Sequence, residues 1–337
     1  MATPAAAPAD RRVSTLLELG LEGVESVHEM GGSDRLADGI HRAWSVRPAM
    51  GTIVSVLALD SSGARAEAGV EAAFAEMKRL VWIFDRHDPR GVLSYLNAAG
   101  RLRGAPPELL QVVDRAASWH RATLGAFDIT VQPLVDLYRA ARGVPTPAER
   151  AEAAELVGMD KLRRTGERLF FDRSGMGLTL DGIAKGYIVD GMAAALLRRG
   201  IRRFLINAGG DIRASGGKEQ GVPWTIGVRD PSDPDRLHDV LSVDEGAVAT
   251  SGSCEKTFQH LIDGGIGEAS VRSRSVTVIS GSAMDADAAA TALYVLGPAE
   301  GSRLGGRLPG CEFLLFGEMG MPARSPGWLL RAKAGEQ

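Results

Sequence analysis

The chain has 337 residues, 45% of them hydrophobic and 24% charged, with 39 Lys and Arg against 42 Asp and Glu for a net charge of −3. That balance excludes a disordered chain, and the lack of a basic surplus argues against nucleic acid or an anionic membrane surface as partner. Two cysteines, Cys254 and Cys311, allow one disulfide at most and no four-cysteine zinc site, while 42 glycines beside 5% aromatics point to many tight turns.

Residues 1–42 read as an alanine-rich extension, partly helical or disordered, ahead of a single domain over residues 43–335. Arg11-Arg12 has the look of a twin-arginine export signal, but Glu18 and Glu22 interrupt the apolar run such a signal needs. No stretch of 18 apolar residues occurs, so the expectation is a cytoplasmic protein without a membrane span, and a periplasmic one if the native start differs. Residues 52–59 are apolar and β-branched, which predicts a strand. Val70, Phe74, Met77, Val81 and Phe84 recur at helical spacing, and Leu109, Val112, Val113, Ala116 and Trp119 predict a second helix. Ile188, Met192, Ala195 and Leu196 predict a third, opened by a glycine-rich turn. Further strands are predicted at residues 204–207, 224–228, 247–250, 275–279 and 313–316. They follow no strict βαβ rhythm, so the fold class is mixed α+β.

Phosphate-binding Gly-x-x-x-x-Gly-Lys-Ser/Thr and Gly-x-Gly-x-x-Gly loops are absent, as are the usual hydrolase signatures. What remains is a series of polar, mostly glycine-bearing clusters. Gly125-Ala126-Phe127-Asp128-Ile129-Thr130 offers a ring and a carboxylate to a planar ligand, or simply stops a helix over a buried Phe. Thr179-Leu180-Asp181-Gly182-Ile183-Ala184-Lys185 opens the third helix, and Lys185 either reaches a phosphate or is a solvated helix lysine. Asn207-Ala208-Gly209-Gly210-Asp211 permits close backbone approach, or forms a plain β-turn. Thr250-Ser251-Gly252 is followed by His260-Leu261-Ile262-Asp263-Gly264. Asp287 and Thr291 stand four apart, on one face of a helix, where they suit a hard cation such as Mg²⁺. Capping of that helix by Asp285 or Asp287 explains the same residues equally well.

Together with Met50-Gly51-Thr52, Leu96-Asn97 and Ala286-Asp287…Thr291-Ala292, these clusters in this order resemble the FAD:protein FMN transferases, the ApbE family, from residue 50 to about residue 327. The resemblance implies an α+β fold of duplicated sheet-and-helix units, T-fold-like, with the flavin between the halves. It implies an enzyme that cleaves FAD with Mg²⁺, attaches FMN through a phosphoester bond to a threonine of an acceptor protein, and releases AMP. The acceptor would carry a Ser/Thr-Gly-Ala-Thr-like segment. By position, Met50, His87, Ala126, Phe127, Asp128, Asp181, Lys185 and Ile262 would contact FAD. Asp287, Thr291 and the Gly182 carbonyl would hold the metal, and His260, Lys185 and Asp287 would carry the catalysis, His260 as base for the acceptor hydroxyl. Two departures stand out. The family's commoner Asp-Leu-Gly-Gly is here Thr179-Leu180-Asp181-Gly182, and His87 aligns with an aromatic that stacks near the flavin. Two other activities fit the same residues: an FAD pyrophosphatase with water as acceptor, and a non-catalytic flavin-binding protein.

Overall fold

The structure is a computed structural model that describes residues 29–36, 39–141, 144–218, 221–252, 261–308, 310–319 and 321–334. His260, and with it Ser253 and Cys254, lies outside the described residues.

Strands β1 (Met30–Arg35), β2 (His41–Ala49) and β3 (Thr52–Asp60) lead into helix α1 (Gly63–Phe84). Helix α2 (Val92–Ala99), strand β4 (Arg101–Arg103), and helices α3 (Pro107–Ala122), α4 (Gln132–Ala140) and α5 (Pro147–Ala154) follow. Strands β5 (Leu162–Thr165) and β6 (Arg168–Phe171) precede α6 (Ala184–Arg198). Then come β7 (Arg203–Ala208), β8 (Asp211–Ser215), β9 (Trp224–Asp230), β10 (Asp233–Val243), β11 (Glu245–Gly252), β12 (Ile262–Asp263), β13 (Glu268–Ala269) and β14 (Ser273–Ser280). The chain closes with α7 (Ala283–Gly305), β15 (Glu312–Gly317), β16 (Ala323–Arg324) and β17 (Ala332–Ala334).

Nine strands form one sheet in the order β1-β2-β3-β7-β8-β11-β14-β15-β16, every neighbouring pair antiparallel. Both faces are covered, and the period-two alternation of each strand divides its side chains between them. In β3, Val54, Val56 and Ala58 enter the core beneath the helices, whereas Leu57 and Leu59 point to the other side. Strand β15 splits the same way, with Phe313 and Leu315 toward the helices and Leu314 opposite. That opposite face is closed by a three-stranded sheet, β17-β10-β9, through Trp224, Ile226, Val228, Leu241 and Val243. The burial of β3 is therefore almost continuous, although it is an antiparallel strand.

On the helical face, α1 packs on β2 and β3, α6 on β7 and β8, and α7 on β11, β14 and β15. Each half of the sheet thus carries a long helix, and α6 lies between α1 and α7. Contact between α6 and α7 is backbone-close, because a Cβ at Gly186 would lie 2.2 Å from the Ala283 carbonyl oxygen. Helix α7 is capped by Ser282, whose side chain accepts from the Asp285 amide at 3.2 Å. Its regular backbone is interrupted at Gly297 (φ 76°), immediately before Pro298. No helix among the described residues is long and apolar enough to cross a membrane.

Every strand and helix predicted above is present, with longer bounds. One expectation changes: the segment 30–35, expected to belong to the extension, is strand β1, paired with β2 from Met30↔Val46 to Arg35↔His41. The sheet therefore begins inside the 1–42 segment; residues 1–28 lie outside the described residues.

A candidate active site where two helices begin

Glycine-bearing turns bring the separated clusters together. The β2–β3 hairpin turns through Met50 and Gly51, both with positive φ (53° and 70°). The β7–β8 hairpin turns through Gly209 and Gly210 (φ 65° and 102°), the pair of left-handed residues that a type I′ turn requires. The plain β-turn reading of that segment is correct, and it has a further use. Gly209 lies against Thr52, where a Cβ would be 2.3 Å from the hydroxyl oxygen, so the two hairpin turns pack together. Asp211, the first residue after the turn, is thereby delivered to the start of α6.

There Lys185 pairs with Asp211. Asp211 is 1% exposed and Asp287 3% exposed. The Gly186 amide donates to Asp287 Oδ2 at 3.1 Å, so Asp287 caps the neighbouring helix and not its own, whose cap is Ser282. Asp285 is occupied elsewhere, accepting from Arg115 at 2.6 Å and from the Trp119 indole at 2.9 Å. Helix capping within α7 therefore does not explain Asp287. Thr291, one turn further along α7, lies against Gly182, where a Cβ would sit 2.7 Å from its hydroxyl oxygen.

Burial pushes the Asp287 carboxyl up to about 8, with the nearby Asp211 carboxylate adding to it and the Lys185 ammonium and Gly186 amide opposing it. For Lys185, burial works against the charge, but Asp211 and Asp287 prevail and hold its ammonium well above the ordinary lysine value. One ammonium thus serves two buried carboxylates, and the cluster has room for more positive charge. Among the described residues no group of three or more His, Cys, Asp or Glu is placed to hold a metal. A cation here would take one carboxylate and neutral oxygens. Asp287, the Thr291 hydroxyl and the Gly182 carbonyl would be such a set for Mg²⁺, which binds through one or two carboxylates and keeps its other positions for water and phosphate. Gly182→Ala should accordingly push Thr291 aside, lower the melting temperature and weaken Mg²⁺ binding about tenfold or more. Unchanged Mg²⁺ affinity would remove Gly182 from the set.

Of the remaining expected residues, Asp181 acts electrostatically on both Lys185 and Asp287. Arg86 holds Asp181 in a two-pronged pair, at 2.7 and 3.3 Å. Beside it, exposed His87 lines a cavity of about 310 Å³ with Asn97, Gln132 and Gly177. Asn97 ties down the chain ahead of α6 by bonding both the amide and the carbonyl of Leu178 at 2.8 Å. The next amide, Thr179, donates to the Ile129 carbonyl at 2.8 Å, which places the 125–130 segment alongside. Ala126 is half-buried within that segment. In it Asp128 accepts from the Thr130 amide and hydroxyl (2.7 and 2.5 Å), yet burial still raises its carboxyl above the ordinary value. Phe127 is 3% exposed and Ile262 4%, and both side chains belong to the core. Only their backbone can border a ligand. The buried-Phe helix stop is thus also correct, since Leu124 and Gly125 take positive φ just after α3. Met50 is half-buried on the helical side of the sheet.

Residues 50–315 match the ApbE family. The chain belongs to that family. An ApbE relative from Vibrio cholerae, named FAD:protein FMN transferase, is 33% identical over 208 residues, 58% of this chain and 62% of the relative. One from Klebsiella pneumoniae with the same name is 30% identical over 283 residues, 74% of this chain and 77% of the relative. The alignment with the Vibrio protein thus spans a little under two thirds of that relative's length. Among solved structures, the flavin transferase ApbE from Vibrio cholerae superposes with TM-score 0.78 at 26% identity, covering 90% of this chain and all of that one. An ApbE protein from Thermotoga maritima gives 0.78 at 28%, covering 91% and 100%. The α+β fold expected from the sequence is the ApbE fold.

Asp211, Arg86 and Asn97 were given no role by the sequence. Asp211 lay inside a noted cluster, but its link to Lys185 spans 26 residues and needs the β7–β8 hairpin to exist.

Proposed function

We propose that this chain is a Mg²⁺-dependent flavin transferase that cleaves FAD, joins FMN to a threonine hydroxyl of an acceptor protein and releases AMP. The observation that carries it is the meeting of Gly182, Lys185, Asp287 and Thr291 at the paired starts of α6 and α7, in a chain whose relatives bear that activity in their names. Bound Mg²⁺ would supply charge neutralisation at the pyrophosphate oxygens.

Lys185 brings a fixed positive charge to the same place. Negative charge accumulates on the phosphate oxygens during displacement, and a preorganised ammonium beside them lowers that cost. Asp211 keeps the ammonium in position and protonated before substrate arrives. Asp181, paired with Arg86, and the Asp128 segment would offer FAD its further polar contacts. In the reaction, the threonine oxygen forms a bond to the FMN phosphorus, the bond from that phosphorus to the AMP oxygen breaks, and the hydroxyl proton passes to a base. His260 is assigned that role from its place in the family motif.

Incubating the protein with FAD, Mg²⁺ and an acceptor bearing a Ser/Thr-Gly-Ala-Thr segment should leave in-gel flavin fluorescence on the acceptor, with AMP formed in equal amount. FMN released with no labelled acceptor would establish hydrolysis instead. FAD bound and left intact would make the chain a flavin-binding protein.

A further inference from the structure

We infer that Asp190 is the positioning residue of the metal site: from α6 it grips the start of α7 and so fixes Asp287 and Thr291 against Gly182. The inference rests on the reading of those three residues as the metal set.

The two helices exchange caps. Asp287, from α7, accepts the Gly186 amide at the start of α6 (3.1 Å). Asp190, from α6, accepts the amides of Ala283 and Met284 at the start of α7, one on each oxygen, both at 3.0 Å. The first amides of a helix have no partner within it, and a carboxylate there also meets the positive end of the helix dipole. Here each helix finds that carboxylate on the other. Between the two bonds Gly186 lets the backbones touch, which makes the contact stiff as well as specific.

Two links that run in opposite directions between two packed helices fix their relative slide. Gly182 precedes α6 and Thr291 lies on α7, so that slide sets the spacing of the proposed ligands. A shift of one residue along a helix is about 1.5 Å, whereas metal–ligand distances tolerate about 0.2 Å. Ser282 caps α7 through the Asp285 amide, and its side chain also bonds to Asp190. Arg213, whose Nε is 3.7 Å from Asp190 and which pairs with Glu245 at 2.6 Å, holds the outer side of Asp190 in place.

The test uses Mn²⁺ in place of Mg²⁺, added to the metal-free protein and followed by loss of the free-ion electron paramagnetic resonance signal. Asp190→Asn puts an amide where one helix amide must be accepted. Asp190→Glu keeps the charge and lengthens the arm, which preserves folding if the first variant does not fold. Both should weaken Mn²⁺ binding by about tenfold or more, the scale of losing a group that orients a metal ligand. Ser282→Ala should lower the melting temperature and weaken Mn²⁺ binding less than either Asp190 variant, because both amide bonds to Asp190 survive it. Folded Asp190 variants that bind Mn²⁺ within twofold of the wild type, while Asp287→Ala does not bind it, would overturn the positioning role alone. A wild type that takes up no Mn²⁺, or an Asp287→Ala protein that binds it unchanged, would overturn the ligand assignment and this inference with it.

Discussion

In EDTA at pH 9, Asp287→Asn is expected to melt above the wild type, and in Mg²⁺ to have lost flavin transfer by about a hundredfold or more. Both follow from one buried carboxyl. Its ordinary value is 3.8 and its value in the fold is about 8. The native state therefore keeps a proton that the unfolded chain has released, and metal-free stability falls as pH rises through the window from about 4 to about 8. Above that window the native protein carries an ionised, poorly compensated carboxylate. Asparagine removes the charge and still accepts the Gly186 amide, so the two melting curves should separate with rising pH and coincide near pH 4. Mg²⁺ must displace the same proton, so its affinity should climb with pH and level off above about 8. The transfer loss exceeds the 10–100-fold typical of groups that merely orient a ligand, because Asp287 is the only carboxylate in the set. Coincident melting curves across the whole range would refute the buried-charge account. Transfer surviving in the variant would refute the ligand.

Lys185→Ala should weaken FAD binding by roughly 10- to 100-fold, since a charge-assisted contact is worth about 1.5–3 kcal/mol. It should also destabilise the protein more at pH 9 than at pH 6. With the ammonium gone, Asp211 and Asp287 face each other in the core without a cation, and breaking one side of a buried pair costs more than the pair ever contributed. At pH 6 Asp287 carries a proton in both proteins. By pH 9 the wild type has released it beside the ammonium, whereas the variant, with no ammonium to oppose the upward shift, must hold the proton or bear the repulsion. Calorimetric titration with FAD and melting curves at the two pH values read both effects. An unchanged FAD affinity would take Lys185 out of the site.

Much of the sheet was legible because antiparallel strands covered on both faces remain apolar, as at residues 52–59 and 313–316. The i,i+4 spacing of Asp287 and Thr291 was legible too, but spacing alone left capping and metal binding equal. What decided against capping is Ser282, five residues upstream, and the Gly186 amide, 101 residues away. Strand β1, Met-Gly-Gly-Ser-Asp-Arg, has little intrinsic strand preference and forms because β2 offers it an edge. Strand β10 was missed because its apolar positions lose their alternation where the register with β9 shifts around Leu237 and Asp239. Arg86 and Asp181, 95 residues apart, carry no mark of partnership in either local sequence.

The placement of β1 bears on how this protein should be shortened. Residue 43, where the sequence suggests the domain starts, falls inside β2, and truncation there would remove β1 and the Arg42–Asp34 ion pair (2.6 Å) together. The remainder of β2 would become the margin of the sheet, with a row of unmet amides and carbonyls. Such margins recruit a second copy by strand pairing. A version trimmed at that point would self-associate or precipitate for a reason unrelated to the flavin chemistry, whereas one beginning before Met30 keeps its own border.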